Sequence, residues 1–507
     1  MAKSKTPSYI LTLRLKTEKY QEDIINKRLE IGRTIYNSVL GVALKRYRLM
    51  LESKDYNKVK RKLKNINNIY HNTDSKKEKK QYDKERKLLY KELEIIKGRF
   101  GLTNYSLYTD VKPMYKHFKN NIDSLMAQAI ADRVWKSLDK LLNGEGTRCY
   151  FKRYREFNSL ENKWDKSGMV YRDGLVKWNK LSLPVIIKPN DTYAQRAIQD
   201  RVKYCRIIRK EIKGKNRYYV QLVLEGIPPQ KVNKNTGEVN SIGTGDVGID
   251  IGTQTIAISS KYDVKLLELA PSINNIDRKI KLIQRKMDRS RRSMNPNKYN
   301  EDGTIKKGNK DKWIYSNKYL KLKSLRKELF RKQTIWRKQD HENLANYIIS
   351  LGDNILVETM NFKGLQKRTK NTTINSKGKF NKKKRFGKSL ANKAPSMLLE
   401  IIDRKLKYEN LSLKKINTYK VKASQYNHFT DEFNKKELKD RWNNDIGIQR
   451  DMYSAFLIMN VNDDLESINR NKCIETYDNF KELHDREINR LKELKLNGFK
   501  LISSMGI

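Results

Sequence analysis

Two short runs put a carboxylate where the surrounding residues call for none. Val247-Gly248-Ile249-Asp250-Ile251-Gly252-Thr253 leads into Thr255-Ile256-Ala257-Ile258, and Ile355-Leu356-Val357-Glu358-Thr359-Met360-Asn361-Phe362 repeats the pattern downstream. β-Branched runs of this length read as buried strands. A carboxylate among such residues is costly to bury unless positive charge meets it. A third acid opens Arg450-Asp451-Met452-Tyr453-Ser454-Ala455-Phe456, which reads as a helix start, where the helix dipole favours a negative group. Positions 250, 358 and 451 are far apart in sequence. Only a fold that recruits distant strands and a late helix to one place can bring them together.

Taken one at a time, each acid reads as an ordinary strand-end or capping residue. Taken as an ordered set, Asp250, Glu358 and Asp451 form a hard, all-oxygen, anionic ligand group, which selects Mg²⁺, or Mn²⁺, over zinc. Two such ions ~3.5–4 Å apart clamp a scissile phosphate, one activating water and the other stabilising the leaving oxygen. Nothing else in the chain competes for the chemistry. The histidines, His71, His117, His341, His428 and His484, form no pair at metal-binding spacing and read as surface or packing residues. Cys149, Cys205 and Cys473 form no Cys-x-x-Cys pair. They read as small buried hydrophobes in a reducing cytoplasm.

Charge identifies the class of partner. Lys and Arg number 110 against 58 Asp and Glu, a formal charge of +52. That excess opposes compaction by self-repulsion, and a polyanion relieves it. A membrane partner is not expected: no apolar run approaches the ~20 residues needed to span a bilayer, and the opening Met1-Ala2-Lys3-Ser4-Lys5-Thr6-Pro7 is not a signal peptide.

The periodicity divides the chain. Residues 9–17 alternate as a strand does. Residues 18–52, 53–100 with a break at Asn72-Thr73-Asp74-Ser75, and 121–142 carry helical spacing. Strand patterns return at 183–189, 204–212 and 218–225, the last two as a hairpin around Lys213-Gly214-Lys215-Asn216. This order fits a small antiparallel barrel interrupted by a helical insertion. Pro228-Pro229-Gln230 and Gly243-Thr244-Gly245 mark a linker. Strands at 247–251, 255–260, 264–268, 354–358 and 413–419, with helices at 272–294, 313–350 and 394–410, predict a mixed α/β sheet covered by helices. Residues 363–388 hold many Lys and Arg but no Asp or Glu, and they begin close behind Glu358. That position favours ordering on a phosphate backbone.

These segments resemble the three motifs of a RuvC-type, RNase H-like nuclease domain. More narrowly, they resemble transposon-encoded TnpB nucleases and the miniature type V (V-F-like) CRISPR effectors. Gly248-Ile249-Asp250-Ile251-Gly252 is similar to the first motif. Val357-Glu358-Thr359-Met360-Asn361-Phe362-Lys363-Gly364 is similar to the second, and Arg450-Asp451 with Ser454-Ala455 to the third. Arg337-Lys338-Gln339-Asp340-His341, and Phe151-Lys152-Arg153 followed by Leu183-Pro184, resemble family segments in the expected order. The resemblance implies a bilobed α/β protein with β-barrel and helical-bundle parts. A split, oligonucleotide-binding-type wedge barrel would occupy 1–17 and 143–230, and a helical recognition domain 18–142. A linker at 231–246 would lead to a RuvC domain at 247–419, a target-strand-loading insert at 420–449, and the third motif with C-terminal helices at 450–507.

The resemblance also implies partners: a guide RNA, and a target DNA unwound into an RNA–DNA heteroduplex beside a short flanking motif read by protein. One RuvC site would hydrolyse phosphodiester bonds with two Mg²⁺ ions held by Asp250, Glu358 and Asp451. The residues expected to touch nucleic acid are Lys363, Lys367, Arg368, Lys382, Lys383, Lys384, Arg385 and Arg450. Monomer and homodimer on one guide RNA both remain open, in a prokaryotic cytoplasm with the protein on the nucleoid when DNA-bound. The chain departs from the family between the second and third motifs. Where a four-cysteine zinc ribbon is usual, Ser424 to Asn444 holds no cysteine, so no structural zinc is expected. The insert is expected to be held by Tyr426, Phe429, Phe433, Leu438 and Trp442. Two alternatives stand beside the nuclease: an RNA-guided DNA-binding protein that does not cut, and a guide-independent RuvC-type nuclease.

Overall fold

Alternation in Ser8–Leu15 (β1) sends Tyr9, Leu11, Leu13 and Leu15 inward and the residues between them outward. A computed structural model of the chain describes residues 6–232, 237, 239, 241–367, 371–374, 378, 386–435, 437 and 440–507. It divides into two compact units, Met1–Pro229 and Gln230–Ile507.

In the first unit five helices follow β1: Lys19–Glu52 (α1), Lys54–Asn72 (α2), Lys76–Arg99 (α3), Asn104–Phe118 (α4) and Ser124–Leu142 (α5). Ser53, Ser75, Thr103 and Asp123 cap α2 to α5, each side chain accepting from a backbone N–H three residues on, as N-caps do. The predicted break at 72–75 therefore ends on a cap. Next come strands Ser159–Glu161 (β2), Met169–Arg172 (β3), Leu175–Trp178 (β4) and Leu181–Ile186 (β5), helix Thr192–Ala197 (α6), and strands Val202–Ile212 (β6) and Lys215–Glu225 (β7). The β6–β7 turn is two residues long. Lys213 and Gly214 both have positive φ, 50° and 77°, as a twisted hairpin's tight turn requires. The sheet runs β2-β6-β7-β1-β5-β4-β3 and curls until Cys205 Sγ of β6 donates to the Met169 carbonyl of β3 at 3.3 Å. No ladder joins β2 to β3 among the described residues. This corrects the expected barrel to a half-barrel: β2 and β3 are too short to close it. Arg28 of α1 ties the helices to the sheet. It donates to the Trp178 carbonyl at 2.8 Å and lies over that ring.

The second unit begins with Asp246–Ile251 (β8), Thr255–Ser260 (β9) and Val264–Glu268 (β10). The pair Asn274–Met294 (α7) and Asn317–Leu351 (α8) follows, then Asn354–Glu358 (β11). Helices Phe362–Leu365 (α9), Gly387–Lys393 (α10) and Pro395–Tyr408 (α11) lead to strand Lys414–Ile416 (β12) and helix Thr418–Val421 (α12). Sheet order is β10-β9-β8-β11-β12. β8, β11 and β12 are parallel, while β9 and β10 run antiparallel to their neighbours. The expected strand at 413–419 is shorter than predicted because Asn417 stops it. Its side chain accepts from the Tyr419 N–H and its own N–H donates to the Leu465 carbonyl. Two ribbons follow, Tyr426–Asn427 (β13) with Glu432–Phe433 (β14), and Trp442–Asn443 (β15) with Ile448–Gln449 (β16). Helices Arg450–Met459 (α13) and Arg470–Leu496 (α14) come last.

The ribbons are held differently from the sequence expectation. Tyr426 is buried, but Phe429 and Phe433 are 46% and 52% exposed, and Leu438 lies outside the described residues. The anchor is His428, fully buried, with Nδ1 2.6 Å from the Tyr453 hydroxyl of α13. Trp442 Nε1 donates to the Gly506 carbonyl at 2.8 Å. Side chains of the ribbons pack outward onto α13, α14 and the chain's end because so short an insert has no interior of its own.

Candidate active site

Strand alternation separates the two faces of the second sheet. Val247, Ile249, Ile251, Ile355 and Val357 enter one core, with α8 and α11. Ala257, Leu356 and Ile416 enter another, with α13 and α14. Asp250 is opposite Ala257 in the β8–β9 register, and Glu358 is two residues beyond Leu356 and opposite Ile416. Both carboxylates therefore project from the α13 face. Val357 pairs with Ile249 across parallel strands, so Glu358 and Asp250 are the next residues on neighbouring strands, ~4.8 Å apart at the backbone.

α13 reaches this face because Gly248 lets it. A Cβ at Gly248 would overlap the Ala455 carbonyl oxygen and the Met459 backbone. Only a residue with no side chain admits a helix that close. Asp451 lies in the helix's first turn. The N-cap is Gln449, whose side-chain oxygen accepts from the Met452 N–H at 2.8 Å. Gln449 is fixed in turn by α14: its own N–H donates to His484 Nε2 at 3.0 Å, and His484 Nδ1 faces Asp485 at 2.8 Å. Burial lowers the His484 pKa and keeps its ring neutral, as an accepting Nε2 requires.

The electrostatics show that the acids feel one another. Burial, then the Glu358 and Asp451 carboxylates, hold the Asp250 carboxyl well above the usual range, while Ser454 and Arg450 pull the other way. Burial raises Glu358 as well. The Ser454 hydroxyl sits beside Asp250 without closing a hydrogen bond of normal geometry. Asp451 is turned towards guanidiniums: Arg450 Nη2 at 3.6 Å and Arg441 Nη1 at 3.8 Å. Arg450 is nearly buried and also donates to the Glu437 carbonyl at 3.0 Å. Among the described residues no three His, Cys, Asp or Glu side chains are gathered tightly enough to hold a metal ion as they stand. In type the donors fit a hard divalent cation: two neighbouring carboxylates with raised pKa and a third that faces Arg450 and Arg441 across long ion pairs.

Of the residues expected to touch nucleic acid, Lys363 and Lys367 are exposed just beyond Glu358. Asn361 Oδ1 accepts from the Gly364 N–H at 2.8 Å and shapes the turn that carries Lys363. Arg368, Lys382, Lys383, Lys384 and Arg385 lie outside the described residues. Arg441, Gln449 and His484 escaped the sequence reading. Their roles arise from contacts between elements, and no local pattern marks them.

No family model matches the chain, and no curated protein matches it. Among solved structures 27 chains match. One is in a cryo-EM structure of a Cas12f1–sgRNA–target DNA complex: 13% identity, 90% of this chain and 99% of that chain covered, TM-score 0.43. Another belongs to a CRISPR–Cas12f ternary complex: 13% identity, 89% and 99% covered, TM-score 0.23. No helix among the described residues is long and apolar enough to cross a membrane.

Proposed function

We propose that the chain is an RNA-guided DNA endonuclease of the RuvC type. The observation that carries this reading is the placement of Asp250 and Glu358 side by side on one sheet face, beneath the helix whose first turn carries Asp451. Three acids in one partly buried place repel one another, and their mutual repulsion is relieved by divalent cations.

Asp250, Glu358 and Asp451 would hold two Mg²⁺ ions, with Mn²⁺ able to replace them. When bound, the ions supply water activation and charge stabilisation at the leaving oxygen. The chain's own residues do the rest. β8 and β11 fix two carboxylates on a rigid support. Gln449 and His484 set the start of α13 and so the position of Asp451. Arg441 and Arg450 balance the charge of Asp451, the carboxylate that would complete the cation site. Lys363 and Lys367 begin the basic stretch that would steer the cleaved strand. A charge of +52 suits a protein that holds RNA and DNA at once. The Cas12f1 chain compared above was solved with sgRNA and target DNA. This chain's charge and motifs suit the same two partners, a guide RNA and a target DNA.

A second reading, RNA-guided DNA binding without cleavage, draws on the arginines beside Asp451, which would occupy it permanently if they stayed. One assay decides between them. RNA that copurifies with the chain is sequenced and used to programme a DNA target, and cutting is followed with Mg²⁺ and with EDTA. Mg²⁺-dependent cutting is expected. Guided binding with no cutting establishes the second reading. The absence of any defined RNA, with cutting retained, points to a guide-independent nuclease.

A further inference from the structure

We propose a nucleobase subsite beside the carboxylates, with Tyr419 as its stacking platform; it rests on the nuclease reading above. A cavity of about 310 Å³ opens at the C-terminal ends of β11 and β12, the end at which parallel sheets bind ligands. Its wall starts at Thr359, directly after Glu358, and includes Ile416, the register partner of Glu358. The cavity thus opens one residue along the chain from Glu358.

The lining selects the ligand. Asp464 and Glu466 form one side; Glu466 is paired with Lys420 and accepts from Asn417 Nδ2, Asp464 accepts from the Ser467 hydroxyl at 2.7 Å, and each carboxylate keeps lone pairs for a further donor. A neutral base with amino groups meets them favourably, since a carboxylate accepts and never donates when ionised. Tyr419 forms another side and is 91% exposed, so its ring face is free to stack on a base. Its backbone is nonetheless fixed: the Tyr419 N–H donates to Asn417 Oδ1 at 3.2 Å, and the Asn417 N–H to the Leu465 carbonyl at 2.8 Å. A free ring on a fixed backbone is what a sequence-tolerant stacking site needs. Lys415 lines the same cavity and supplies a cation for the neighbouring phosphate. The subsite would hold one unstacked base of the cut strand and set the phosphate's position over Asp250 and Glu358.

The test uses the full chain carrying Asp250→Asn, so that nothing is cut. A short single-stranded DNA with one 2-aminopurine serves as the probe. Its affinity and the quenching of its fluorescence are measured for the parent, Tyr419→Ala and Tyr419→Phe. Because the ring buries almost nothing, the fold tolerates both changes, and circular dichroism checks this. The expected result is about 5- to 150-fold weaker binding for Tyr419→Ala, with quenching lost. Tyr419→Phe should behave as the parent does. Equal binding and quenching by Tyr419→Ala and the parent overturns the subsite and leaves the nuclease reading intact. A parent that binds no DNA overturns the nuclease reading and the subsite with it.

Discussion

The two faces of the β8–β12 sheet are made by alternate residues of the same strands, yet they do opposite work. Facing α8 and α11 are Val247, Ile249, Ile251, Ile355 and Val357, all fully buried and all apolar. Facing α13 are Gly248, Asp250, Ser259 and Glu358 among a few apolar residues. The first face gains stability from burial. The second gives some up: a missing side chain, a buried hydroxyl and two carboxylates that stay protonated above their ordinary range. A one-residue slip would exchange the faces. The apolar face therefore holds the register on which the charged face depends.

The comparison breaks most visibly at Asp250. Asp250→Ala should lower Mg²⁺-dependent cleavage by about 10³-fold or more, the several kcal/mol expected of a metal ligand. Target binding should be unchanged, as measured by filter retention beside a cleavage time course. Retained cutting would remove Asp250 from the site.

Gly248 comes next. Overpacking typically costs 1–3 kcal/mol, and here both partners are backbone that cannot rotate away. Gly248→Val should cost about 3 kcal/mol or more in urea denaturation, and it should impair cleavage through α13 without touching a carboxylate. On the opposite face, Ile249→Ala should cost about 2–5 kcal/mol and leave the Mg²⁺ dependence of cutting where it was. A shift in that dependence would mean the faces are not separable.

The smallest effect concerns pH. An acid whose pKa is raised on folding stabilises the protein below its unfolded value of ~3.9, and that contribution is lost as pH rises through the folded pKa. The metal-free protein should therefore weaken as pH rises above the ordinary carboxylate range. Asp250→Asn should melt higher than the parent at pH 8, with the gain shrinking towards pH 4. Added Mg²⁺ should raise the parent's Tm and not the variant's. A variant that melts lower at pH 8 would mean Asp250 is structurally satisfied without a cation.

Much of the second unit was legible in residue order because its signals are local. The runs around Asp250 and Glu358 alternate cleanly enough to show strands, and their acids stand out against β-branched neighbours. Helix starts were off by a few residues where a cap intervened. The helix expected from 313 begins at Asn317 because Ser316 accepts from the Tyr319 N–H. Strands β2, β3 and β4 passed unnoticed, since three or four residues are too few to establish a period. Phe429 looked like a core residue by type and is half exposed, whereas His428, of ambiguous type, is the buried anchor.

Residue order alone specified where strands and helices form, which positions carry unusual acids, and that the chain carries a large positive charge, because periodicity, composition and net charge are properties of the chain itself. The folded arrangement settled what lies next to what. It put Asp250 and Glu358 on one face through strand register, seated α13 against Gly248, and turned Asp451 to Arg441 and Arg450. Those facts depend on which elements meet, and contact between residues distant along the chain leaves no local mark.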